Sequence, residues 1–163
     1  MHKVASLFLP TWPTDRLRRS LGDGAPSRRE PLVLAAHDGR RRVLHAVDAA
    51  ARRSGLRPGL FLAEARARVA GLHVRDADPA ADAAGLHRLA LWCLRRYSPV
   101  VAIDPPQGLW IDATGAGHLF GGDEAMLADM IGHLGGAGIR ARAAMAGTAG
   151  AAHALARHAA GRS

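Results

Sequence analysis

Residues 102–122, "AIDPPQGLWIDATGAGHLFGG", hold two short apolar runs on either side of a proline turn. Val100–Ile103 and Leu109–Asp112 have the length and β-branched or aromatic content of strands. Pro105, Pro106, Gln107 and Gly108 between them are turn-formers, so the spacing predicts a β-hairpin. The "GAGHLFGG" that follows lacks the Lys-Ser/Thr of a phosphate loop and the spacing of a dinucleotide fingerprint. It reads as a turn feeding a helix from Asp123 to Leu134.

Upstream, Asp78 or Asp82 can cap a helix running to Tyr97, with Leu86, Leu89, Ala90, Trp92, Cys93 and Leu94 forming a wide apolar face. Downstream, "RARAAMAG" reads as a strand and "TAGAAHALARHAAG" as a closing helix capped by Thr148. At the other end of the chain, Lys3–Leu9 is a near-continuous apolar run stopped by Pro10, the pattern of a buried strand. Thr14 offers an N-cap for a short helix ending at Gly22. "PLVLAAH" and "RRVLHAV" flank Asp38-Gly39, a hairpin signal. Helices follow up to Gly55 and from about Leu60 to Ala70, and "LHVRDADP" reads as a further strand. With residues 14–72 set aside, the order is strand, helix, strand, strand, helix, strand, helix. That is an α+β, two-layer core of the ferredoxin-like, split βαββαβ type, with a small α/β module inserted after its first strand. The boundaries implied are 1–13 and 74–163 for the core and 14–73 for the insertion.

Apolar residues make up 48% of the 163 residues and aromatics only 4%, so Ala, Val and Leu must fill the core of a globular chain. The lone cysteine, Cys93, lies in "LALWCL" and reads as a buried structural thiol. No apolar run approaches the roughly 18 residues of a membrane span. The N-terminal run is followed by Pro and charge instead of a small-residue cleavage pattern, and a cytoplasmic setting is expected. The net charge of +8 is unevenly placed: residues 1–75 carry 15 Lys+Arg against 6 Asp+Glu, and residues 76–163 carry 7 against 8. Most of the excess lies in the predicted insertion, where Arg40, Arg41 and Arg42, with Arg52, Arg53 and Arg57, form the best candidate binding cluster. Such a cluster suits phosphates contacted without reading sequence, an acidic protein surface, or plain solvation.

The stretch "AARRSGLRPGLFLAEARARVAGLHV" resembles the fingers segment of Y-family translesion DNA polymerases, through Ala51, Arg52, Gly55, Leu56, Gly59, Glu64 and Ala65. "GLWIDATG" is similar to the palm strand after that family's Asp-Glu pair, with Asp112 and Gly115 in register. The resemblance implies a palm at 1–13 and 74–163 and a fingers module at 14–73. Polymerase chemistry clamps two divalent ions between about three carboxylates. The resemblance puts Pro10, Gln107 and Gly108 at the three carboxylate positions, which leaves one neutral oxygen. It also puts Ala49 at a triphosphate-contacting Tyr, Ala149–Gly150 near a Lys, and "PTWPTD" in place of an aromatic pair, while Arg52 matches the family's Arg.

This combination, with "LPTWPTDRLRR" and "GLWIDATGAGHLFGG", resembles the ImuB-type, polymerase-like subgroup that lacks the catalytic acids. The resemblance implies a non-catalytic adaptor in bacterial damage-induced mutagenesis, with no metal and no cofactor. It also implies weak binding to primer-template DNA. In the full-length protein the implied partners are the sliding clamp, an ImuA-type RecA-like protein and an error-prone polymerase alpha subunit, and no membrane is involved. Thumb, little finger and C-terminal tail would lie beyond residue 163. Two other readings stand beside it: an active polymerase with a shifted metal pair at Asp104 and Asp112, and a general DNA-binding module. Against the first, Asp104 reads as a turn residue, Asp112 as a strand-end acid capping "ATG", and Asp15 as part of a helix start. His153 and His158 lack zinc-site spacing. Trp12 and Trp110 read as core aromatics.

Overall fold

The computed structural model of the chain describes residues 2–159. Ala160 and Gly161, the end of the predicted closing helix, lie outside them. The chain divides into two compact units, one of residues up to Pro10 together with those from Ala83 on, the other Thr11–Asp82.

The first unit contains β1 (Val4–Phe8), most of α4 (Pro79–Arg96), β5 (Val101–Asp104), β6 (Gly108–Asp112), α5 (Asp123–Gly136), β7 (Arg142–Ala146) and α6 (Ala149–His158). Its sheet has the order β5-β6-β1-β7, all antiparallel. β1 is central, and its residues are buried on both faces, the mark of a strand covered on both sides. Ala5, Leu7 and Leu9 alternate onto one face with Leu109 and Ile111, and buried Leu86, Cys93, Met126 and Met130 of α4 and α5 complete this core. Burial pushes the Cys93 thiol up to about 12, which fits the structural role read from its sequence context. The Thr148 hydroxyl accepts from Ala151 N–H and caps α6, as expected. Asp78, not Asp82, accepts from Ala81 N–H at the start of α4.

The second unit holds α1 (Trp12–Leu21), β2 (Leu32–His37), β3 (Arg42–Val47), α2 (Ala49–Arg53), α3 (Leu62–Arg68) and β4 (His73–Asp76), with sheet order β3-β2-β4. β2 and β3 form the expected hairpin, whereas β4 runs parallel to β2. The unit is wider than residues 14–73 at both ends. Parallel pairing with β2 draws β4 into this sheet, and the Trp12 indole N–H donates to Asp82 O at 2.9 Å. The helix expected from Thr14 begins at Trp12, with Pro13 in its first turn, where a missing N–H costs nothing. Thr14 is instead buried and donates to Thr11 O. α3 is shorter than the expected 60–70, since Phe61 is still extended.

Arg18 holds the long loop between α1 and β2. Its buried guanidinium donates to Pro26 O, Ser27 O and Glu30 O and lies 2.9 Å from the Asp48 carboxylate. Asp48 in turn caps α2 through Ala51 N–H. Arg18→Met keeps the aliphatic stem but strands Asp48 and three carbonyls. Urea denaturation should show a loss of roughly 3–5 kcal/mol for this variant, the usual cost of breaking a buried pair.

Candidate functional site

The three positions Pro10, Gln107 and Gly108 meet at one end of the four-stranded sheet. Phe8 of β1 is the register partner of Gly108, and Leu9 N–H donates to Gln107 O at 2.9 Å. The Gln107 side chain turns back over the end of β1: its Nε2 donates to Leu9 O at 2.7 Å and to Pro10 O at 3.1 Å. These bonds satisfy carbonyls at a strand end that the proline cannot continue.

Gly108 is buried for a reason the sequence does not display. A Cβ there would lie 2.9 Å from Arg157 Nη2, 3.1 Å from Leu7 O and 3.2 Å from Asp104 O. Arg157, the penultimate residue of α6, lays its guanidinium 4.5 Å from the Phe8 ring centroid and donates to Asp104 Oδ2 at 3.0 Å. The His153 ring, one helical turn earlier, contacts the same oxygen through Nδ1 at 2.8 Å and leans on Trp110. The 153/157 spacing places both on the α6 face that covers the strands. Asp104 itself is buried opposite Gly108. Ser6 Oγ, Trp110 Nε1 and Arg157 Nη1 are buried in this unit without a hydrogen-bond partner among the described residues.

A pair of divalent cations does not fit this donor set. Pro10 and Gly108 offer no side-chain oxygen, the Gln107 amide nitrogen faces the strand, and the Asp104 carboxylate is paired with two cationic or proton-donating side chains. Among the described residues no three His, Cys, Asp or Glu side chains are grouped to hold a metal ion. Asp104 and Asp112 do not come together. Asp104 pairs with Gly108 at one end of β6 and Asp112 lies at the other, about 13 Å along the strand. The Asp112 carboxylate accepts from Thr114 N–H at 3.0 Å, and the Thr114 backbone bond, then its hydroxyl, hold its pKa below the usual value. Asp15 is buried in the other unit, accepting from Thr11 Oγ1 and facing Arg28.

The basic residues of the inserted unit separate into two groups. Arg40, Arg41 and Arg42 stand on the β2–β3 turn, which Asp38 locks by accepting from the Arg40 and Arg41 backbone N–H groups. Those two bonds, Arg41 first, hold the Asp38 carboxyl below its usual range. Gly39, at φ +97°, supplies the left-handed residue the turn needs. Arg52, Arg53 and Arg57 lie past the other end of β3, about 17 Å along it, where Arg57 Nη1 donates to Arg52 O. Arg42 is paired with Asp76; Arg40, Arg41, Arg52 and Arg53 have no carboxylate partner among the described residues. Arg157 did not stand out in the sequence, because a lone Arg in an Ala-rich helix carries no motif, and His153 was weighed there only as a metal ligand. Their four-residue spacing, set against Asp104, was the available signal.

Gly108→Ala should lower stability by about 1–3 kcal/mol, the cost of overpacking a filled site, in chemical denaturation. Arg157→Ala should cost roughly 3–5 kcal/mol through the buried Asp104 it leaves behind. In the double variant the two losses should add to less than their sum, because Arg157→Ala removes the shortest contact of the new Cβ.

No family model matches the chain. Protein ImuB of Caulobacter vibrioides, in two strains, is 54% identical over 103 residues, which is 63% of this chain and 22% of that protein. The chain thus spans about a fifth of the length of these curated relatives. Among solved structures, a post-insertion binary complex of Dbh DNA polymerase superposes with a TM-score of 0.74, and DinB from Sulfolobus solfataricus with 0.73. Each is 14% identical, covering 94% of this chain and 45% of the other. A Y-family DNA polymerase chimera built on Dbh gives a TM-score of 0.70 at 14% identity, covering 88% of this chain and 42% of its own. In sequence the chain is similar to Protein ImuB over 103 residues, and its fold is the one seen in the palm-and-fingers region of Y-family DNA polymerases.

Proposed function

We propose that this chain is the palm-and-fingers portion of a non-catalytic, polymerase-like adaptor in bacterial translesion synthesis and damage-induced mutagenesis. The observation that carries the reading is the filled hairpin. Where the family resemblance calls for two carboxylates, the Gln107 amide bonds to the end of β1 and the space beside Gly108 holds the Arg157 guanidinium. A metal-dependent polymerase concentrates negative charge at that point to hold cations; this site places a buried cation there and neutralises the nearby carboxylate. In this reading the fold is retained for contacts, not for chemistry. The contacts are weak, sequence-independent binding of primer-template DNA through Arg40, Arg41, Arg42, Arg52, Arg53 and Arg57. In the full-length protein they extend to a sliding clamp, an ImuA-type RecA-like protein and an error-prone polymerase alpha subunit, in the cytoplasm. Homology to ImuB supports the pathway, and the solved polymerase complexes support the DNA contact. No helix among the described residues is long and apolar enough to cross a membrane.

A Mn²⁺ titration read by paramagnetic relaxation, with and without a deoxynucleoside triphosphate, tests the absence of chemistry. Weak, nucleotide-independent surface association is expected. Site-specific binding that the nucleotide strengthens and Asp112→Asn abolishes would restore the polymerase reading. For the DNA contact, replacing Arg40, Arg41 and Arg42 by Ala should lower the slope of log K against log salt by about 0.9 for each phosphate contact removed. An unchanged slope removes those residues from the interface.

A further inference from the structure

Resting on the DNA-binding reading, a second feature of the inserted unit specifies the form of DNA. Phe61, the residue before α3, is 41% exposed, an unusual position for one of the few aromatics in a chain with 4% of them. Its backbone bridges Val43 of β3, which brings the ring beside the β2–β3 turn. There the Arg41 guanidinium lies 4.7 Å from the ring centroid. The two form one wall of a shallow, open depression of about 620 Å³, whose other lining includes Arg42, Leu62, Glu64 and Arg66. Glu64 is the acid of this lining, and it is taken by Arg68 at 2.5 Å. Arg41 and Arg66 have no carboxylate partner among the described residues. The turn that carries Arg41 is fixed by Asp38, so the cation is delivered from a locked loop.

An exposed aromatic ring joined to a guanidinium, set in unpaired positive charge, answers two chemical needs at once. The arginines neutralise phosphates, and the ring and guanidinium plane stack on a base face. Duplex bases already stack on each other and present only edges, so a stacking surface adds nothing to duplex binding. Unpaired bases gain from it directly. We propose that Phe61 and Arg41 form a stacking seat for a base of single-stranded DNA, with Arg66 on a flanking phosphate. The seat supplies a preference for single strands over duplex that charge alone does not provide.

The test is fluorescence anisotropy with the 163-residue chain at low salt, using an oligo-dT strand and a duplex of equal phosphate number, with a single-stranded oligonucleotide carrying 2-aminopurine as stacking probe. The single strand should bind more tightly, and bound 2-aminopurine should be quenched. Phe61→Ala should weaken single-strand binding about 5- to 100-fold, the usual range for loss of one stacked base, and leave duplex binding within twofold. Phe61→Leu preserves apolar volume and guards against a folding defect in Phe61→Ala; it should lose the quench, and Phe61→Trp should keep it. Equal affinity for strand and duplex, or loss of affinity only on Arg41→Ala and Arg66→Ala with the Phe61 variants unaffected, would overturn the seat while leaving the DNA-binding reading intact. Failure to bind either DNA form would overturn both.

Discussion

A guanidinium drawn out of water has to be met by a carboxylate, and the four-stranded unit is arranged around one such pair. Arg157 is 15% exposed, pairs with Asp104 and rests on Phe8. That arrangement needs three things together: a strand end with no side chain at Gly108, a carboxylate directly across the hairpin, and a helix that covers this face in the right rotation. The Thr148 cap sets where α6 begins, and with it which residues point down. Buried ion pairs of this kind add little net stability over apolar packing, but breaking one is expensive, so the pair fixes the geometry more than it deepens the energy well.

The inserted unit uses a similar device for a different purpose. Arg18 anchors a loop of turn residues that has few apolar groups of its own, spending its donors on three backbone carbonyls and on Asp48. The loop leads into β2, whose Leu32, Val33 and Leu34 are fully buried, so the anchor fixes the entry of the strand that both β3 and β4 pair with. Alanine-rich helices contribute little volume per residue, and directed polar contacts do part of the work that aromatic packing performs in other small domains.

Much of this was legible from residue order. Hydrophobic period and turn residues located nearly every element, and the Asp38-Gly39 and Pro105-Pro106 turns marked both hairpins. What was not legible depended on partners distant in sequence. β4 reads the same whether it pairs with β1 or β2, and only the parallel register with Leu32–Ala35 assigns it to the smaller sheet. Thr14 looks like a cap, but the proline before it starts the helix earlier. Among the candidate site residues, Pro10, Gln107 and Gly108 were expected together and do converge. The six arginines, contiguous in composition, are parted by the length of β3. Arg157 was silent because its role exists only against Gly108 and Asp104, 49 and 53 residues away.

The hydrogen bond from Trp12 to Asp82, backed by the Arg16–Asp82 ion pair, joins the two ends of the inserted unit. A module whose entry and exit are held side by side closes its own loop, so the host sheet sees a short bridge whatever is threaded between them. Lengthening the β2–β3 turn or exchanging the whole module would therefore leave the register of β1 undisturbed. The surface chemistry of this unit can be altered while the sheet that carries it stays the same.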